Sequence, residues 1–164
     1  MKIITLGDEL LRQKAEKIEK IDKETLNIAS QMLEILKSDK GVGLAGPQIG
    51  FMKRIFVVHV EGDEQRIFIN PSIIETSHET SKFEEGCLSV PGVYANVIRS
   101  EYIKIQAWNE KGRPFTLESG GLLARVILHE YDHLNGVLFI DHIPEKTREK
   151  LLAKYENSNS GEKT

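Results

Sequence analysis

The spacing of apolar residues along the chain changes from a helical repeat to a strand-like alternation and back again. From about residue 23 to 37, apolar side chains recur every three or four positions, which predicts an amphipathic helix with one buried face. Asp22 stands immediately before this segment and is expected to cap it. A second amphipathic pattern predicts a C-terminal helix from Pro144 to about Tyr155, followed by a polar, disordered tail over 157–164.

The middle of the chain is rich in β-branched and alternating segments. The segments predicted to be strands are 54–60, 66–70, 72–76, 103–107 and 115–117. Pro71 separates the second from the third, and the last two flank the turn at 109–112 as a hairpin. Strands between terminal helices predict an α+β fold, with small antiparallel or mixed sheets around a central helix. We expect a single domain that spans residues 1–156.

The central helix is predicted for residues 122–134, and Gly136 is expected to end it in a left-handed conformation. The segment is apolar on nearly every side, which predicts that the helix is buried. His129, Glu130 and His133 lie on this helix nevertheless. Burying two imidazoles and a carboxylate is costly unless another group compensates them. One bound cation would compensate all three.

These three residues form the pattern H-E-x-x-H, which places His129 and His133 on one helical face where both can bind the same ion. Glu130 lies between them in angle and is expected to reach a water molecule on that ion. A catalytic tetrahedral ion has three protein ligands and one open position, so a third ligand is required. The sequence therefore predicts a metal-dependent hydrolase with one ligand still to be found.

Cys87 is the favoured third ligand. A thiolate next to a glycine can approach an ion closely, and it suits Fe²⁺ or Zn²⁺. The first alternative is an ordinary metallopeptidase, in which Glu149 or Glu156 would be the third ligand. The second alternative is a structural or storage metal site without catalysis, in which Glu85 would close the site as a fourth ligand.

A glycine-rich loop precedes the first predicted strand. Residues 41–46 match G-x-G-x-x-G, the pattern of dinucleotide-binding proteins. That pattern has to follow a strand and open a helix. Here a helix precedes the loop, and Pro47 and a strand follow it, so we reject dinucleotide binding.

Composition and charge limit the partners and the cellular location that the chain can have. The chain has 164 residues, a net charge of -3 and one cysteine, so no disulfide within the chain contributes to the fold. No basic stripe indicates DNA binding, and no apolar run is long enough to predict a membrane span or the core of a signal peptide. We therefore expect a cytoplasmic protein that binds neither DNA nor membranes.

Three segments taken together resemble a known family. GVGLAGPQIG at 41–50, EGCLS at 85–89 and HEYDHLNG at 129–136 resemble, in this order, the three motifs of peptide deformylase. The resemblance implies a single catalytic domain that removes the N-terminal formyl group from the formylmethionine of newly made polypeptides and releases formate. It also implies one divalent ion per chain, Fe²⁺ or Zn²⁺.

The resemblance assigns a role to each motif. It implies that Cys87, His129 and His133 are the metal ligands and that Glu130 transfers the proton. By the same resemblance, the Gln48 side chain and the backbone N–H of Leu88 hold the oxygen of the reacting formyl group.

The expected partners are N-formylmethionyl nascent peptides. Backbone groups around Val42 and Gly43 are expected to pair with the peptide as an added strand. The helical wheel places Leu122 and Val126 beside the histidines, and with Val42 and Phe83 they are expected to line an apolar methionine pocket. The resemblance and the basic residues of the C-terminal helix suggest a further contact, to the ribosome, and the alternative is a solvated helix face.

Three positions depart from the family pattern. Gly46 stands where alanine is usual, which is expected to loosen the glutamine loop. Leu128 stands where a glutamine commonly precedes the His-Glu pair, which removes a polar support. Tyr94 stands where some members use an arginine to hold the substrate backbone, so affinity for longer peptides is expected to differ.

Overall fold

A computed structural model of the chain describes residues 1–162, with side chains through Ser158. Within that range three α-helices frame seven strands, and short 3-10 helices occupy Glu9–Arg12, Gly46–Ile49 and Phe139–His142. The helices are α1 (Lys23–Asp39), α2 (Gly121–Leu134) and α3 (Glu145–Glu162). The strands are β1 (Gly43–Ala45), β2 (Ile55–Val58), β3 (Arg66–Thr76), β4 (Thr80–Cys87), β5 (Val90–Ser100), β6 (Tyr102–Trp108) and β7 (Pro114–Gly120).

The strands form two antiparallel sheets, which confirms the predicted α+β class. The larger sheet has the order β1-β2-β3-β6-β7, so β1 is an edge strand. The smaller sheet is the β4–β5 hairpin. Helix α2 packs on the larger sheet through Ala124 and Ile127, which join a core around Phe56 and Phe68.

The first helix forms as predicted. The Asp22 side chain accepts a hydrogen bond from the Thr25 N–H at 2.9 Å and caps α1. The helix ends at Asp39, slightly later than predicted, because Lys40 adopts a left-handed conformation with a φ of 57°. Its buried face, which includes Met32 and Leu36, packs against the first strands of the larger sheet.

The prediction of two strands separated by Pro71 was wrong. β3 runs without interruption through this position, but its register against β6 shifts between Ile69 and Ser72. Asn70 has a φ of 49°, and its side-chain amide bonds the backbone N–H and C=O of Ile18 at 2.8 Å each. A bulge accommodates a proline that has no N–H to donate to the sheet, so the strand bends here and continues.

The sequence analysis did not predict the β4–β5 hairpin. Its inner face contributes Val93, Ala95 and Val97 to a second core cluster. Helix α3 contributes Leu151 and Tyr155 to the same cluster, so the C-terminal helix covers the hairpin.

Helix α3 begins after Pro144, as predicted, and extends to Glu162. It therefore overlaps the tail predicted for 157–164, of which the last two residues lie outside the described part of the chain. Over residues 1–162, no helix combines the length and the apolar character that a membrane crossing requires.

Candidate metal centre and active site

Helix α2 carries three buried functional side chains. His129 is 8% exposed, Glu130 3% and His133 1%. The two imidazole rings are one helical turn apart, with centroids 5.2 Å from each other. Gly136, with a φ of 74°, follows the helix in the left-handed conformation predicted for it.

Cys87 lies at the end of β4, opposite these histidines. Its Sγ is 3.3 Å from Nε2 of His133. The ligating atoms of Cys87, His129 and His133 all lie within 4.8 Å of one another, and they are the one such group found within the described residues. Glu149 and Glu156, the third ligands of the metallopeptidase alternative, lie exposed on α3 and outside this group.

Glu85 faces the far side of His129. Its carboxylate accepts a hydrogen bond from Nδ1 of His129 at 2.8 Å, which leaves Nε2 of that ring to face Cys87 as the nitrogen that could bind an ion. The same carboxylate accepts hydrogen bonds from Arg99 at 2.7 and 3.0 Å and from Arg125 at 2.7 Å. Glu85 therefore occupies the position of a carboxylate that orients a ligating imidazole, which does not match the fourth ligand of the structural-site alternative.

Hydrogen bonds keep the buried Glu85 carboxylate ionised. Burial opposes ionisation of Glu85, but hydrogen bonds from His129 and Arg99 outweigh it and hold the pKa of Glu85 well below its usual range. Arg99 also donates to Asp132 at 2.9 Å, and Asp132 contacts His142 at 2.8 Å. The sequence analysis did not identify this network. The available signal was Arg125, a charged residue within an otherwise apolar helical segment.

Burial and neighbouring charges set the protonation of the three helix residues. Burial raises the pKa of Glu130 to about 7, and its buried Oε1 has no hydrogen-bond partner within the described part of the chain. Burial together with His129 lowers the pKa of His133 well below its usual value, so this imidazole is neutral. Burial disfavours the imidazolium of His129, but hydrogen bonds with Cys87 and Glu85 raise its pKa well above the usual value. Surroundings that favour a positive charge on His129 also favour a bound cation.

Gln48 reaches the same centre from the larger sheet. Its Oε1 accepts a hydrogen bond from the Ala45 N–H at 2.9 Å, which fixes the orientation of the side-chain amide. Its Nε2 is 3.1 Å from Oγ of Ser89 and 3.4 Å from Sγ of Cys87. Leu88 lies in the turn between β4 and β5, next to the cysteine.

Two glycines allow close approach in this region. A Cβ atom at Gly43 would lie 2.6 Å from Oε2 of Glu130, so the absence of a side chain leaves room for the carboxylate. A Cβ atom at Gly46 would clash with the Phe51 carbonyl oxygen, since the backbones pack closely there. The loop around Gly46 is buried, and the expected loosening of the loop stays a prediction.

A cavity of about 440 Å³ opens beside these groups. All five residues predicted to bind substrate line it, namely Val42, Gly43, Phe83, Leu122 and Val126. Val126 is buried, and Phe83 is exposed at 57%. Arg125 also lines the cavity, but its guanidinium is bonded to Glu85 and to the carbonyls of Val97 and Ser81. Glu85 thus neutralises the charge of Arg125, and most of the exposed surface of the cavity is apolar.

Leu128 and Tyr94, the other two departures from the family pattern, have packing roles. Leu128 packs on the core of the larger sheet. The Tyr94 ring lies over Gly86, its partner across the hairpin, where a Cβ atom would be 2.6 Å from the ring. This ring closes the gap that a strand glycine leaves.

Two buried histidines on one helical turn, a cysteine opposite them and a carboxylate between them define the class of single-ion metal-dependent hydrolases. A family model described as polypeptide deformylase matches residues 1–149. The peptide deformylase of Borreliella burgdorferi is 48% identical over 157 residues, which is 94% of each chain. That of Clostridium botulinum is 50% identical over 140 residues, 85% of this chain and 94% of the relative.

A solved structure agrees with these relatives. The crystal structure of a peptide deformylase from Synechococcus elongatus in complex with actinonin matches with a TM-score of 0.90 at 41% identity, and the match covers 94% of this chain and 86% of that one. The chain belongs to the polypeptide deformylase family. Membership confirms the resemblance and the expected activity, a hydrolase that removes the N-terminal formyl group of nascent polypeptides.

Proposed function

We propose that Cys87, His129 and His133 hold one divalent ion, Fe²⁺ or Zn²⁺, and that the surrounding residues deformylate N-formylmethionyl peptides at this site. The observation that carries the proposal is the convergence of three ligating atoms within 4.8 Å of one another beside a buried carboxylate. The donor set fits such an ion. His133 is a neutral imidazole, Nε2 of His129 faces Cys87, and the sulfur of Cys87 is the third donor, the number of protein ligands that a catalytic ion has.

When bound, the ion supplies a Lewis acid that makes a water nucleophilic near neutral pH. Glu130 is suited to move the proton of that water to the leaving amine, because burial raises its pKa to about 7. Oε1 of Glu130 has no hydrogen-bond partner among the described residues and so is available for this transfer. Gly43 leaves the room in which the carboxylate sits.

The Gln48 amide and the Leu88 N–H are the proposed donors to the formyl oxygen. The Ala45 N–H holds Oε1 of Gln48, so the donor end of the amide is directed at the cysteine and not away from it. A donor fixed in this way loses no orientational freedom when negative charge develops on the oxygen.

The peptide is proposed to add to the open edge of β1. The Val42 carbonyl accepts a hydrogen bond from the His59 N–H at 2.8 Å and therefore faces β2. Backbone groups alternate in direction along an antiparallel strand, so those of Gly43 face the open edge. Gly43 is then the residue that pairs with the peptide, while the methionine side chain enters the cavity between Phe83, Leu122 and Val126.

Formate release from a formyl-Met-Ala peptide is the test of this function. Anaerobically purified protein with about one metal per chain is expected to release formate, and Cys87→Ala is expected to lose both metal and activity. The same peptide without the formyl group is the control and should not be cleaved. Metal binding without formate release would contradict the proposal, as would full activity in Cys87→Ala.

Two finer assignments rest on the same activity. Because the substrate is the newly made polypeptide, we place the protein in the cytoplasm, with α3 as a contact to the ribosome. The support for that contact is a row of basic residues on α3, Lys146, Arg148, Lys150 and Lys154. Reversing the charge of Lys146 and Lys150 should weaken cosedimentation with ribosomes and leave formate release from the short peptide unchanged. Unchanged cosedimentation would exclude this role for α3.

A further inference from the structure

The N-terminal segment crosses the two loops that carry Gln48 and Ser89. The Ile4 N–H donates to the Gln48 carbonyl at 2.7 Å, and the Leu6 N–H donates to the Ser89 carbonyl at 2.8 Å. Alternate amides of an extended chain point in the same direction, so one short segment can bond both loops.

The two loops come from different parts of the fold. Gln48 follows β1 of the larger sheet, and Ser89 lies in the turn of the β4–β5 hairpin. Their side chains also meet inside the protein, where Nε2 of Gln48 donates to Oγ of Ser89 at 3.1 Å. The same pair of residues is therefore joined twice, once by side chains at the site and once by backbone through the N-terminal segment.

Apolar packing holds the segment in place. Ile3 packs with the core cluster that contains Ile49 and Leu88, whereas Ile4 and Leu6 pack with the cluster that contains Cys87. The segment thus lies along the seam between two cores, and each side of it is anchored to one of them.

We infer that the backbone amides of Ile4 and Leu6 position the donor group of Gln48 relative to Cys87 by fixing the distance between the two loops. The inference rests on the proposed role of Gln48 at the formyl oxygen. It predicts an effect on turnover, because Phe83, Leu122 and Val126, the residues proposed to bind methionine, lie on β4 and α2 and outside the two loops.

Leu6→Pro removes the amide donor and leaves the Ser89 carbonyl without it. Displacement of a reacting group by about 1 Å can cost on the order of 100-fold in rate, so we expect kcat to fall roughly 10- to 100-fold. KM should stay within about twofold, as for an interaction made only in the transition state. Lys2→Pro is the control, since Lys2 is exposed and lies before the segment.

A double-mutant cycle separates positioning from general loss of stability. In a Gln48→Ala background, Leu6→Pro should lower kcat no further, with the metal content still about one per chain. An equal loss of kcat in both backgrounds would overturn the inference and leave the proposed function intact.

A Gln48→Ala variant with normal kcat would instead refute the proposed role of Gln48 and the inference with it. Absence of formate release by the unmodified protein would refute the proposed function itself. If Leu6→Pro does not fold, Ile4→Pro repeats the cycle at the other donor. Unfolding of both variants would show that the segment stabilises the fold and does not tune the site, which also overturns the inference.

Discussion

Helix α2 and the β4–β5 hairpin face each other across the site, and they hold their functional groups by different means. His129, Glu130 and His133 belong to one buried helix, so the helical repeat alone sets their spacing. The hairpin presents Cys87 and Glu85 from a sheet of only two strands. Two-stranded sheets are marginally stable by themselves, so this side of the site depends on tertiary contacts.

Beside the apolar cluster that joins the hairpin to α3, buried ionic contacts connect it to α2. Arg125 of α2 donates to Glu85 and to the carbonyls of Val97 and Ser81, and so connects the helix to both strands of the hairpin. Arg99, which lies within the hairpin, donates a hydrogen bond to Glu85 and another to Asp132 on α2. The comparison shows that the local repeat of α2 positions the functional groups of the helix. In the hairpin, Glu85 is positioned by charged residues that are distant in sequence.

The largest expected effect removes the chemistry of the helix and leaves its geometry. Glu130→Gln should retain about one metal per chain, because Glu130 is outside the ligand group. It should lose on the order of 100- to 10,000-fold in kcat, since an amide cannot carry the proton. Formate release and metal content, measured on the same preparation, check both parts. Substantial activity in this variant would remove Glu130 from the mechanism.

The second expected effect weakens the hairpin's attachment to the helix. Arg125→Met should reduce the free energy of unfolding by roughly 3 kcal/mol, because Glu85 and two carbonyls lose a buried donor while Glu85 keeps Arg99 and His129. Urea denaturation of the metal-loaded protein measures the change.

Lys104→Met is the matched control for this variant. Lys104 lies 3.8 Å from Glu118, whose side chain is 77% exposed, so its loss should change stability by less than about 0.5 kcal/mol. Equal stability of the two variants would show that the buried network does not hold the hairpin.

The third expected effect follows from changing Glu85, the carboxylate that is proposed to orient His129. Glu85→Gln keeps the shape of the side chain but removes the charge that faces His129, Arg99 and Arg125. Loss of such an orienting carboxylate typically costs about 10- to 100-fold in metal affinity. Chelator competition measures this value. Glu79→Gln, at an exposed position before β4, should bind metal normally, and normal affinity in Glu85→Gln as well would exclude the orienting role.

The same contrast explains what the sequence could predict. Helix α2 and its H-E-x-x-H pattern are local signals, because the repeat that buries the helix also aligns the two histidines. The β4 strand has no clean alternation, since consecutive exposed positions precede the buried Glu85. Burial of that carboxylate depends on Arg99, Arg125 and His129, which lie 14, 40 and 44 residues away.

The prediction of a strand end at Pro71 was wrong because it used only the neighbouring residues. The sequence predicts that a strand ends at Pro71, because proline cannot donate a hydrogen bond to a sheet. The bonds from Asn70 to Ile18, 52 residues earlier, allow the bulge that keeps β3 continuous, and neither residue indicates this partner by its local pattern. The sequence predicted that Cys87, His129 and His133 come together, and it did not predict the network around Glu85.

The smallest expected effect concerns a partly exposed ion pair, which contrasts with the buried network of the hairpin. Asp141, in the 3-10 helix after α2, accepts hydrogen bonds from Arg12 at 2.6 Å and from the Leu138 N–H at 2.9 Å. Burial opposes its ionisation, but the Arg12 bond outweighs burial and lowers the pKa of Asp141. Because solvent screens this pair, Asp141→Asn should cost less than about 1 kcal/mol at pH 7.

The pH dependence of that cost has a defined sign. A carboxyl group with a lowered pKa in the folded state adds stability above its unfolded pKa of about 3.9, and this contribution is lost as pH falls through the folded value. The difference in unfolding free energy between the original protein and Asp141→Asn should therefore be present at pH 7 and shrink steadily below about pH 4. Glu156→Gln, at an exposed position of α3, should show no such trend. A difference that stays constant through the acid range would mean that Asp141 acts through neutral packing and not through its charge.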